Sequence, residues 1–173
     1  MNEHGPSEEA TLRRRVRVWL ALFIVGLVLS GLTAFPLLWE LNLLVSWLQW
    51  PPLAGAASDV GLTAWIVRVR DALAEQSMRY PFMAYGTDWL AFAHLVIASA
   101  FYGPWRDPVR NVWIIEWAML ACVAVIPLAM ICGPLRGIPF GWRLIDCAFG
   151  VFGIVPLLLV RRDIKRLEQL SAR

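Results

Sequence analysis

Charge is scarce in this chain. Acidic and basic residues make up only 17 % of it, against about 25 % in an average soluble domain. Of 16 basic residues only Lys165 is a lysine. With a net charge of +3 and no basic stripe on a soluble face, nucleic-acid binding is excluded. Cysteine is rarer still, with three residues. Cys122, Cys132 and Cys147 form no C-x-x-C, which excludes thiol–disulfide exchange of the usual design; Cys132 and Cys147 are read as free thiols rather than a bridge. The two histidines are His4 and His94. His4 falls on a basic tail, so haem held by two histidines of one chain is excluded. No Walker A, G-x-S-x-G or H-E-x-x-H motif occurs, and no metal or cofactor is expected.

What fills the space is apolar. Hydrophobic residues make up 59 % of 173 residues, ten of them tryptophan. So short a chain cannot bury that much apolar surface in a water-soluble core, and it is too apolar for disorder. The expected class is an all-α integral membrane protein. Crossing a hydrocarbon core takes about 20 helical residues, and four stretches qualify: 18–39, 87–105, 112–132 and 142–160. The first is longer than a signal-peptide core and lacks a clean cleavage site, so it reads as an uncleaved anchor. The domain plan is a basic tail over 1–17, a four-span membrane domain over 18–160 and a basic amphipathic tail over 161–173.

Leu41 to Ser58 is a rival fifth span, interrupted by Pro51-Pro52. Charge decides between the two plans. Four spans with both ends cytoplasmic place eleven of the sixteen basic residues inside; five spans leave nine against seven. The positive-inside bias favours four, in a bacterial inner membrane. Tryptophans agree: Trp39, Trp89 and Trp142 fall at outer boundaries, and Trp19, Trp105 and Trp113 at inner ones.

The outer connection, 40–86, divides at Pro51-Pro52 and at Tyr80-Pro81. Leu62, Trp65, Ile66, Val69 and Leu73 recur at helical spacing, with Arg68, Asp71 and Glu75 on another face. That pattern predicts an external amphipathic helix, preceded by a short helix over Leu41–Trp50. The stretch Arg161–Leu170 reads as a basic amphipathic continuation suited to anionic lipid of the inner leaflet.

Ionisable groups inside a span cost about 2.5–3.5 kcal/mol each on insertion scales. Asp88, His94, Glu116 and Asp146 therefore need reasons. Asp146, Gly150, Gly153 and Leu157 share one helix face, where close helix approach is expected. A pair between Asp146 and Arg143 or Arg136 is the simplest expectation. Asp88 reads as a helix cap after Gly86-Thr87, Glu116 as a partner of Arg110 or Arg106 or as an acid kept protonated by desolvation, and His94 as a hydrogen-bonded packing residue or a proton shuttle. Asp88, His94, Arg143 and Asp146 together form a polar cluster in the outer half.

Two functions are compatible with this pattern. The favoured one is a non-enzymatic accessory or interaction subunit packing on a protein partner or a second copy, through the small residues Gly26, Ser30 and Ala34 of the first span. The alternative is a small enzyme or carrier for a lipophilic or proton-coupled substrate at the outer polar cluster.

Overall fold

A computed structural model describes residues 5–50 and 61–171. His4 and the Pro51-Pro52 break lie outside the described residues. Every regular element among those described is helical: α1 Gly5–Ala34, α2 Leu37–Leu48, α3 Gly61–Arg79, a 3-10 turn Pro81–Ala84, α4 Tyr85–Ala100, α5 Tyr102–Arg106, α6 Val112–Leu135 and α7 Phe140–Ser171. Three of them, α1, α6 and α7, are long and apolar enough to cross a membrane. At 1.5 Å per residue, α6 with its 24 residues extends about 36 Å.

Boundaries differ from the sequence reading in instructive places. The first apolar stretch leaves helix at Ala34, not Trp39, because Pro36 lacks an N–H and disfavours helix in the residue before it. Helix resumes at Leu37 as α2, of only 12 residues. The second stretch is helical from Tyr85 and is interrupted at Phe101 before α5. Asp88 therefore lies in the first turn of α4 and not at its cap, where it still meets the positive end of the helix dipole.

The chain forms two compact units, 1–27 with 96–173, and 28–95. In the 28–95 unit, α2 packs on α3. On α3, Ile66 is buried, while Arg68, Asp71 and Glu75 are exposed. Gly31 provides the close approach of α1 to α4. A Cβ there would meet the Ala91 carbonyl oxygen at 3.0 Å and the His94 Cβ at 3.1 Å.

The other unit holds the largest buried cluster. Leu12, Val16 and Leu20 repeat every four residues on α1, and Leu157, Val160, Ile164 and Leu167 repeat at three and four on α7. Phe101 together with Ile114, Ile115 and Ala118 of α6 completes the cluster. Much of this core lies beyond the apolar stretches, among the arginines of both tails. Ile164 and Leu167, the apolar side of the basic amphipathic stretch Arg161–Leu170, are buried in this cluster.

One charge is buried with them. Asp163 is 1 % exposed, with Arg15 Nε 3.2 Å from Oδ2 and Arg162 Nε 3.5 Å from Oδ1. The Arg15 N–H is not aligned for a hydrogen bond, so Oδ2 accepts none. At Oδ2 the compensation is charge proximity, from Arg15.

The two partners differ in exposure, Arg15 being 43 % exposed, and their removal should cost unequal amounts. Arg15→Met leaves the buried carboxylate with Arg162 alone, 3.5 Å away, and should cost about 2–3 kcal/mol, short of the roughly 3–5 kcal/mol of a fully broken buried pair. Asp163→Asn frees a guanidinium that reaches water and should cost about 1–2 kcal/mol. Unfolding temperatures of the purified variants in detergent should fall further for Arg15→Met; equal falls would refute the asymmetry.

Candidate functional site

The hairpin of α6 and α7 positions the most chemically varied part of the chain. It turns because α6 ends in a Schellman motif. Gly137 takes φ 69°, the Ile138 N–H donates to the Gly133 carbonyl at 2.9 Å, and the Gly137 N–H donates to that of Pro134 at 3.1 Å. The returning helix then approaches α6 closely. A Cβ on Gly150 would fall against the Cys122 carbonyl oxygen, and one on Gly153 would lie 3.3 Å from Cys122 Sγ. Glycine at 150 permits backbone contact that no side chain allows. Leu157, on the same face, is fully buried.

Above this contact the hairpin opens into a cleft of about 270 Å³, walled by Val125, Leu128, Ala129 and Ile138, with Asp146 and Arg136 as its charged groups and Cys132 beside them. Asp146 has no cation within ion-pair distance among the described residues, contrary to the expected pairing. Arg143 is drawn elsewhere. Its side chain lies in the space left by the missing Cβ of Gly133, and its guanidinium carbon stands 5.1 Å from the Phe140 ring centroid. Its Nε is buried without a hydrogen-bond acceptor. A carboxylate and a guanidinium thus line an open apolar cleft without neutralising each other directly, an arrangement able to hold a small amphiphile with a polar group.

The remaining site residues are distributed. Glu116 accepts a hydrogen bond from Arg161 Nε at 2.8 Å, and Arg161 also lies 3.7 Å from Glu168. Neither Arg106 nor Arg110 is its partner, since α7 returns to the start of α6 and brings Arg161 beside it. The turn between α5 and α6 is fixed locally. Asp107 Oδ1 accepts the Arg110 N–H at 3.1 Å, and Asn111 Nδ2 donates to the carbonyls of Gly103 and Asp107. His94 Nδ1 lies 2.8 Å from the Leu90 carbonyl oxygen one turn earlier. Asp88 and His94 belong to the 28–95 unit, and Arg143 and Asp146 to the other. All three cysteines are free thiols. No group of metal-ligating side chains occurs among the described residues.

Sequence reasoning missed Asp163, Arg15 and Gly31. Asp163 carried a signal, since it interrupts the apolar repeat of Val160, Ile164 and Leu167. The long-range partner Arg15 had none. Comparison with known proteins returns no match: no family model, no curated protein and no solved structure is similar to this chain.

With no cation in contact, loss of the Asp146 charge should not release a buried arginine. Asp146→Asn should leave the unfolding temperature in detergent unchanged or slightly raised, because the cost of holding an acid in an apolar wall disappears. A fall of several degrees would show that the carboxylate is a structural partner after all.

Proposed function

We propose that the protein is a multi-pass accessory or interaction subunit of a bacterial inner membrane, with four spans and both termini in the cytoplasm. The span that α1, α6 and α7 leave unassigned, 87–105, runs through α4 and α5, which are separated at Phe101. At helical rise α2, of 12 residues, extends only about 18 Å and falls short of a fifth span. Amphipathic α3, between the first two spans, lies on the outer side. Both basic tails face the anionic inner leaflet.

The observation that carries the interaction reading is Gly26. A Cβ built there meets nothing within 4 Å, although the glycine sits mid-helix, where it costs roughly 1 kcal/mol relative to alanine. Ser30, one turn on, is also exposed. A glycine kept at that cost on an uncovered helix face suits close approach by another helix, from a partner protein or a second copy. The cleft at Asp146 favours a second reading, a small enzyme or carrier for a lipophilic or proton-coupled substrate.

Gly26→Ile should leave the unfolding temperature nearly unchanged while dissociating the native complex or oligomer in mild detergent. Unaltered assembly size would remove the support for an α1 interface. Topology is tested separately. A reporter active only in the cytoplasm should give signal when fused after Arg173 and none when fused after Ser58; the reverse pattern would overturn the four-span plan.

A further inference from the structure

Two clefts of the 1–27 and 96–173 unit run into each other along α1. One, of about 420 Å³, is lined by Arg13, Arg14 and Arg17 with Val18, Ala21 and Trp105. The other, of about 380 Å³, is lined by Ile24, Val25, Ala98, Ser99 and Tyr102 and shares Ala21 and Trp105 with the first. Together they form a groove that is cationic at one end and apolar along its length. Its polarity follows the chain. From Arg17 to Val25 is eight residues of helix, about 12 Å.

Among the described residues the cationic end is only partly neutralised. Arg13 is bound to Glu9 at 2.8 Å, but Arg14 and Arg17 are exposed and have no acidic partner among the described residues. Trp105 marks the junction, where an indole is at home between headgroups and acyl chains.

We propose that this groove is a binding site for an anionic phospholipid of the inner leaflet, with its phosphate against Arg14 and Arg17 and one acyl chain laid over Ala21, Val25 and Tyr102. Charge complementarity and the sequence of polar and apolar wall select this occupant. Guanidinium groups donate bidentate hydrogen bonds to phosphate oxygens. A zwitterionic lipid of equal chain length carries the same phosphate but brings its own cation to the arginines. The assignment to the inner leaflet rests on the topology proposed above; the site itself does not, because binding in micelles is independent of orientation.

The test uses the full-length protein, delipidated in zwitterionic detergent and titrated with phosphatidylglycerol or phosphatidylcholine of matched chains under native mass spectrometry. Phosphatidylglycerol should be retained preferentially. Arg14→Gln with Arg17→Gln should weaken its retention on the order of tenfold or more. Lys165→Gln, which removes another exposed cation, should not. Ala21→Phe, which fills the junction, should also lose the lipid. Equal retention of both lipids, equal loss in Lys165→Gln, or full retention in Ala21→Phe would each overturn the proposal. Displacement of the bound lipid by inorganic phosphate would reassign the arginines to a free anion. If the fusion reporters gave the reversed pattern while retention still depended on Arg14 and Arg17, the leaflet would be wrong and the site would stand.

Discussion

Helices α1 and α7 meet where each carries its cations, a juxtaposition that charge alone would oppose. Arg13, Arg14, Arg15 and Arg17 stand on one, and Arg161, Arg162, Lys165 and Arg166 on the other. Two things make the approach favourable. An apolar seam of Leu12, Val16 and Leu20 is buried in one cluster with Val160, Ile164 and Leu167, each such side chain contributing about 1.5–3 kcal/mol. Acids are also interleaved among the cations: Glu9 pairs with Arg13, Asp163 with Arg15 and Arg162, Glu116 and Glu168 with Arg161, and Glu8 with Arg166. Most of these pairs are exposed and weak. Asp163 is the exception: it is buried, so its contact with Arg15 joins the two helices away from water on the acid's side.

The same bookkeeping separates structural cations from available ones. Once the acids are assigned, Arg14, Arg17 and Lys165 remain without acidic partners among the described residues of these two ends. Arg14 and Arg17 lie beside Trp105 at the mouth of an apolar groove, whereas Lys165 stands on the outward face of α7. The cations of these two helix ends are thus divided: most pair with acids, and a smaller part has no acidic partner among the described residues.

Membrane character and the long helices were legible in the sequence, because a run of about 20 apolar residues has few other solutions. The glycine face of α7 was legible from the spacing of Asp146, Gly150 and Gly153. Pairings were not. Glu116 was expected to find a cation near in sequence and instead finds Arg161, 45 residues away. The amphipathic pattern of Arg161–Leu170 was legible too, but periodicity reports that a face is apolar without naming what covers it, and here Ile164 and Leu167 are covered by the cluster that α1 shares. Arg143 was misplaced for a related reason: the space beside Gly133 and the ring of Phe140 compete with Asp146 for its guanidinium, and neither competitor is visible as a charge.

The apolar stretches themselves contribute little internal burial. Only 17–22 % of the residues in the most apolar windows of α1, α6 and α7 are buried. In lipid that surface needs no covering, since acyl chains solvate it as well as another helix would. Specificity in such segments has to come from packing at small residues and from polar contacts. The chain supplies both, in the backbone approach at Gly150 and Cys122 and in the contact of Glu116 with Arg161. Beyond the apolar stretch, where water restores the hydrophobic driving force, the seam around Asp163 takes over. The uncovered Gly26 follows neither pattern within the chain, which is why its explanation is sought in another helix.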